Sequence, residues 1–581
     1  MHPNATFNGT FTISGTETGS DFADFLLGIP SNYIQTTGGG FYLRNKYAGF
    51  YGQDSWHARS NLTLNYGLRW DFIEPFYEKY NQIQTIVQDQ QSVVYPGAPK
   101  GLVFPGDKGI PRTLSPARYT SFAPRLGLAY SPNFNKGILK TIFGSDGKSS
   151  IRAGFGMFYT AFQGLSAGIM YGVPPYGYNY LSPAPPLFEK PFITAADGSD
   201  NIQRFPFPAP PLNASATNPQ PQVDFSNYLP VNAAPYFFHD NHVPYDESYM
   251  LSIQRQLAPS LLLTLSYAGN QGHHLMVVQE TNPGNPDLCL SLSDPSQVAP
   301  GSPTCGPFAE NGVFTRKDGV VFDGTRGPLG RNYGTVTAQK ALANSNYNAL
   351  EANLRYNGRR SDFLLGYTYS KSIDEGSNLG EQINTFNIRQ SRSISSFDMK
   401  HNFVASYSYT LPFDRMFRPS RLTDGWTISG TSRFATGFPV TMYDNTDTSL
   451  LGTFGNGVNN DLVDTPFFTP GDLQVHTNPR DGKPAFNAAL FSHPELGHQG
   501  TSARRFFYGP GVENFDMTLA KKVQISESKS IQFRLEAFNV FNHAQFYGPA
   551  SVDGNVSNAT FGQVVGAAAP RLVQLATKIN F

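Results

Sequence analysis

LTLNYGLRWDF, residues Leu62–Phe72, alternates without interruption. Leu62, Leu64, Tyr66, Leu68, Trp70 and Phe72 are apolar, while Thr63, Asn65, Gly67, Arg69 and Asp71 are polar, charged or glycine. A period of two predicts an extended strand with one apolar and one polar face. In a soluble sandwich the apolar face would cover a core. In a membrane barrel it would meet lipid, and the polar face would line a lumen. The pattern alone does not choose.

Composition narrows the choice. The chain has 581 residues, with 43 basic and 43 acidic side chains, so net charge gives no argument for nucleic acid or an anionic surface as partner. Charged residues make up 15%, against roughly 25% in soluble domains, and aromatics reach 14%. Together with 56 glycines and 44 prolines, this fits a strand-rich chain with long loops. No window approaches the roughly 18 consecutive apolar residues of a spanning helix. Barrel strands escape that test, because alternation hides their hydrophobicity. The opening MHPNATFNGTFTISG has no basic region, apolar stretch or cleavage site of a signal peptide.

The alternation recurs along the chain. Ile151, Ala153, Phe155 and Met157 oppose Arg152, Gly154 and Gly156. Leu350, Ala352, Leu354 and Tyr356 oppose Glu351, Asn353 and Arg355, and Val573, Leu575 and Ile579 oppose Gln574 and Lys578 near the end. We expect thirteen strands over residues 46–581, preceded within residues 1–45 by two weaker ones near Phe7–Ser14 and Ser31–Thr37. Long connections alternate strictly with short ones such as Ala258–Ser260, Asn357–Ser361 and Ser526–Lys529. That segregation is expected of a transmembrane antiparallel β-barrel with long extracellular loops and short periplasmic turns. A soluble sandwich has no reason for it.

Arg69, Arg125, Arg152, Arg355, Arg433 and Arg534 fall in register with the polar residues of separate strands, as does Glu536. A cation on the lipid face costs about 2–4 kcal/mol at mid-membrane, so these residues are expected to line the lumen. Tyr66, Trp70, Tyr367, Tyr369, Tyr407 and Tyr409 gather at strand ends, like an interfacial girdle.

The segments DFADFLLGIPSNY, YAGFYGQDSWHARSNLTLNYGLRWD, LSYAGNQGHHL, YTYSKSIDEGSN and DGWTISGTSRFATGFPVT resemble Oar-like TonB-dependent transporters. So does the closing run from GPGVENFDMTLAKKVQI to LVQLATKINF. The resemblance covers nearly the whole chain in the family's order. It implies a 22-strand barrel around a plug, in the outer membrane of a Gram-negative bacterium, powered through the TonB complex. It further implies that Phe581 is the terminal signal read by the barrel-assembly machinery. Signal peptide, TonB box and plug have no counterpart in these residues, and about 13–15 strands are visible. The expectation is therefore the C-terminal barrel portion of such a transporter. A plugless passive porin or a surface adhesin is the alternative. A small ligand, peptide or glycan would be captured by loops such as Tyr171–Pro186, rich in Tyr and Pro.

Other chemistry is sparse. Cys289 and Cys305 form either a loop disulfide, which suits an oxidising compartment, or two unpaired thiols; zinc spacing is absent around them. GSDGKSS (Gly144–Ser150) lacks the first glycine of a phosphate loop, since Ile142 stands there. His273 and His274, adjacent in a strand, should point to opposite faces and not share an ion. Asp197–Asn201 and Gly455–Asp464 offer oxygens to calcium, or form Asx turns. No catalytic motif is present, and neither an enzyme nor a resident cofactor or metal is expected.

Overall fold

The computed structural model describes all residues except 1–8, 16, 37–40, 146, 165, 167–173, 178, 183–185, 192, 194–211, 232–235, 453–463, 476–482, 547 and 549. Its main sheet follows the chain as an antiparallel meander of thirteen strands. These are β1 (Tyr47–Arg59), β2 (Leu62–Ile73), β3 (Arg118–Tyr130), β4 (Ser149–Tyr159) and β5 (Tyr245–Ala258). Next come β6 (Leu261–Glu280), β7 (Thr337–Asn357), β8 (Ser361–Asp374) and β9 (His401–Thr410). The last four are β10 (Trp426–Ala435), β11 (Val512–Gln524), β12 (Ser530–Phe538) and β13 (Leu572–Asn580). Each strand pairs with its sequence neighbours, and β1 and β13 leave their outer edges unpaired among the described residues.

The register carries the alternation of Leu62–Phe72 across the sheet. Leu64 stands opposite Leu128, and the row continues through Ala153, Leu251, Tyr267, Leu350 and Tyr369 to His401. One residue away, on the other face, Thr63, Ala129, Arg152, Ser252, Ser266, Glu351, Thr368 and Asn402 form a second row. A slip of one residue in any strand would exchange the two faces. The apolar face has no protein over it: Leu126 is 60% exposed, Leu350 51% and Leu575 82%. Water would not tolerate so large an uncovered surface. Asp54 of β1 interrupts that face and accepts a hydrogen bond from the Tyr66 hydroxyl at 2.8 Å.

The connections segregate as expected. At one end lie residues 60–61, 131–148, 259–260, 358–360, 411–425 and 525–529; at the other lie 74–117, 160–244, 281–336, 375–400, 436–511 and 539–571. The buried apolar core sits in the long connections, not between the strands. Tyr95, Phe104, Phe225 and Tyr333 pack in one cluster, and Met442, Phe486, Phe507 and Val552 in another. The long loops thus build a cap with its own interior.

β6 and β7 are longer than the other strands, running on to Glu280 and back from Thr337. Parallel segments Tyr236–Phe237 and Gln382–Ile383 flank this extension, so it is a pleated spine for the cap. The two early strands are real in their described parts, Thr10–Thr12 and Asn32–Thr36, but they pair with each other and with Asn179–Leu181, outside the main sheet. Cys289 and Cys305 form a disulfide in the cap.

Candidate functional site

The candidate site is the polar face of the sheet together with the cap above it. Arg69, Arg125, Arg152, Arg355, Arg433, Arg534 and Glu536 all fall on the polar face by register. The structure does not gather them into one cluster. The Arg69 guanidinium donates to Asp71 at 2.9 Å and to the Tyr47 hydroxyl at 2.6 Å, and that hydroxyl donates to Asp71 at 2.7 Å. Arg125 lies 4.5 Å from the Phe158 ring centre. Arg433 donates to Asn402 at 3.0 Å, and Arg534 pairs with Glu536 at 2.6 Å. Gln574 donates to the same carboxylate. Arg152 and Arg355 have no ion pair or side-chain hydrogen bond among the described residues, which leaves them as the uncommitted cations of the set.

Around Arg125 the polar face is nearly bare. Gly67 and Gly156 stand opposite it on the flanking strands, and Gly127 pairs with Gly154. A methyl group on Gly127 would meet Asn65 at 3.5 Å, and one on Gly154 would meet Met250 at 3.5 Å, both ordinary contacts. Gly156 differs, since the Phe158 ring covers it and would lie 3.0 Å from an added methyl, and Gly67 is tight against Gln53 at 3.1 Å. Only Gly127 and Gly154 are therefore glycines that the described chain does not itself require. Bare strand positions of this kind allow a close approach by another backbone or a ligand.

Buried charge ties the cap together. Glu381 accepts from both Arg504 and Arg505, the latter at 2.7 Å, and Asp374 lies 3.5 Å from Arg504. All four side chains are nearly inaccessible. Burial alone would raise the Glu381 carboxyl, but the two guanidiniums outweigh it and hold it below its ordinary range. A second knot joins Glu310 to Asp447, whose carboxylate also accepts the amides of Phe308 at 2.9 Å, Leu451 at 3.1 Å and Gly452 at 2.9 Å. Burial, then the facing Asp447 charge, pushes Glu310 up to about 8. Burial, then Asp447 and Asp444, pushes Asp464 up to about 7. Strand alternation does not reveal these residues. The pair Arg504-Arg505 beside Phe506 and Phe507 is the signal available in the sequence, since cations flanked by phenylalanines in a loop call for buried partners.

The histidines depart from strand geometry. A bulge between Gly272 and Leu275, with His274 at φ 54°, breaks the alternation. Both rings consequently meet Tyr245, with centroids at 5.0 and 5.9 Å, and His274 also stacks on His242 at 5.0 Å. Among the described residues no three His, Cys, Asp or Glu side chains gather to hold a metal. Asp197–Asn201, and Gly455–Asp464 apart from Asp464, lie outside the described residues. Within Tyr171–Pro186, Tyr176 is not offered to a ligand: it packs edge-on against Tyr95 and Phe104 at 6.0 and 5.9 Å. Phe581 follows β13 and is 96% exposed.

No curated protein is matched. Among solved structures, the chain is similar to the ferripyoverdine receptor of the outer membrane of Pseudomonas aeruginosa, at 13% identity and a TM-score of 0.38 over 95% of this chain and 40% of that one. It is also similar to the outer membrane transporter YddB from Escherichia coli, at 10% identity and 0.39, over 95% and 55%. The siderophore receptor PirA from Acinetobacter baumannii gives 9% and 0.39, over 95% and 46%. The chain thus spans about half the length of these structures. A family model described as an outer membrane beta barrel domain matches residues 2–574. With two segregated faces, a sequential meander and all long loops at one end, the chain belongs to the outer membrane β-barrel domain family and is a protein of the Gram-negative outer membrane.

Proposed function

We propose that this chain is the barrel portion of an Oar-like TonB-dependent transporter. In this reading, the long-loop cap captures a small ligand, peptide or glycan, and the polar face lines the lumen through which it passes. The observation that carries the proposal is the continuous antiparallel pairing of thirteen strands, with its arginines on one face and its long loops at one end. The unpaired edges of β1 and β13 support an arc of a larger cylinder, because each unsatisfied backbone group in lipid costs several kcal/mol. Arg152 and Arg355 are the lumen cations left to meet a ligand. Gly127 and Gly154, paired on adjacent strands beside Arg125, leave room for an inserted plug. Phe581 serves the barrel-assembly machinery, and the whole protein draws power from the TonB complex.

The test is growth-linked uptake in the native host, with Arg152→Ala/Arg355→Ala compared with wild type, before and after the proton gradient is collapsed. Uptake that falls in the variant and stops without the gradient supports the proposal. Uptake that survives the loss of the gradient favours a passive porin. No uptake defect in a gene deletion, with lost surface attachment, favours an adhesin.

A further inference from the structure

Two of the short connections are larger than a turn requires and expose apolar side chains beside cations. In residues 131–148, the helix Gly137–Phe143 presents Ile138, Leu139 and Ile142, which are 75%, 44% and 53% exposed. Positions 138 and 142 are one helical turn apart and share a face. Phe134 and Phe143 pack together at 6.0 Å, so the connection has a defined fold that leaves those three residues outward. Lys136, Lys140 and Lys148 accompany them.

Residues 411–425 repeat the composition without repeating the sequence. Met416, Phe417 and Leu422 are 67%, 59% and 81% exposed and are interleaved with Arg415, Arg418 and Arg421. This connection is fastened to the apolar face of the sheet. Trp426 and Lys521 form a cross-strand pair on that face. The Trp426 indole N–H donates to the Leu422 carbonyl at 2.8 Å, Lys521 donates to the same carbonyl at 3.0 Å, and Phe413 packs edge-on against Trp426 at 6.4 Å. The exposed apolar residues thus continue the lipid-facing surface at its short-loop end.

We infer that these two connections are interfacial anchors, whose apolar side chains enter the inner leaflet of the outer membrane while their lysines and arginines bind anionic phospholipid headgroups. Tryptophan and lysine at the last row of the lipid face are the residues expected at a headgroup boundary. An amphipathic segment with cations on its polar side lies in that boundary. Continuity of residues 411–425 with the apolar face selects lipid as the occupant, and residues 131–148 share their end of the sheet and their mix of exposed apolar and basic side chains. The inference rests on membrane location and not on transport, so it stands or falls separately from the function proposed above.

The experiment uses the full chain in nanodiscs of phosphatidylethanolamine with or without phosphatidylglycerol. Ile138→Cys, Leu422→Cys and, as a control in the compact turn at 525–529, Glu527→Cys are each labelled with an environment-sensitive fluorophore. Brominated lipid should quench the first two labels several-fold more than the control, and aqueous iodide should quench them less. Removing phosphatidylglycerol, or introducing Arg415→Glu/Arg418→Glu/Arg421→Glu, should shift the Leu422 label toward water. Labels as open to iodide as the control would overturn the inference and turn this surface toward a periplasmic protein. Lipid quenching that ignores both phosphatidylglycerol and the arginines would overturn the headgroup recognition.

Discussion

Replacing Glu381 by glutamine would remove one charge from the cap and leave its shape nearly unchanged. In the native cap the Glu381 carboxylate receives Arg504 and Arg505, and Asp374 balances the second cation. The variant buries two guanidiniums against a single carboxylate. Breaking a buried ion pair from one side costs about 3–5 kcal/mol, because the remaining charge has lost its counter-charge away from water. Both arginines retain backbone acceptors, Ser391 for Arg504 at 2.8 Å and Ile394 for Arg505 at 2.9 Å, which puts the expectation at the lower end. At about 1.4 kcal/mol per decade, amide exchange across 375–400 and 492–508 should accelerate by roughly two orders of magnitude or more. Exchange in β2 and β3 should not change. Removing the charges together, as Glu381→Leu/Arg505→Met, should recover part of the loss. The same carboxylate is held below its ordinary range, so its contribution is present above about pH 4.3 and disappears as the pH falls further. Unchanged exchange in Glu381→Gln would refute the reasoning, and would mean that the carbonyls alone satisfy the two arginines.

Other perturbations separate the faces and the knots. Leu265→Arg, on the apolar face opposite Ala352, should cost about 2–4 kcal/mol in folding into lipid bilayers, while Thr264→Arg on the polar face should be nearly neutral; equal costs would contradict the assignment of faces. Glu310 and Asp464 hold protons that the unfolded chain releases, so their contribution to cap stability declines as the pH rises from about 4.3 toward 8 and is level above that. Amide exchange at Leu451 and Gly452, corrected for intrinsic rate, should therefore be slower at pH 5 than at pH 8. Gly127→Ala should preserve or slightly raise stability yet reduce uptake, and undiminished uptake would remove the case for a close approach there. Cys289→Ser/Cys305→Ser opens a loop of separation 16 and should destabilise the cap locally by about 3 kcal/mol, read from proteolysis of residues 281–336.

Leu62–Phe72 was legible because a strand in a two-faced sheet obeys one local rule, which most of the membrane-zone positions of the meander share. The positions of Arg69 and Arg534 followed from the same rule, although their partners Asp71 and Glu536 became evident only from distances. The rule failed where the chain left the membrane zone. In the outer halves of β6 and β7 both faces are covered by the cap, so Val277, Ala341 and Ala343 lose the alternation that marks a two-solvent strand. The expectation that His273 and His274 face opposite ways fails because a bulge breaks the parity on which it rests. Tyr176 resembled a displayed aromatic, since nothing local tells a buried loop tyrosine from an exposed one. Arg504 meets Glu381 at a separation of 123 positions, at which local pattern carries no signal.

The cap also has a place in time. Its bonds join residues far apart along the chain: the Tyr333 hydroxyl donates to Pro99, separated by 234 positions, and Thr85 donates to Phe237 across 152. The hairpins beneath close through connections as short as residues 60–61 and 259–260. A contact across 234 positions costs about 2 kcal/mol more in closure entropy than one across 16. Strand pairing lifts most of that burden, because each hairpin returns the chain to the rim beside the loop it must meet. On this closure argument the strands act as a jig, and the cap is expected to set after them. A chain stalled with Arg504 still on the periplasmic side would present an unfinished cap, with Tyr95, Phe104 and Glu381 still awaiting partners.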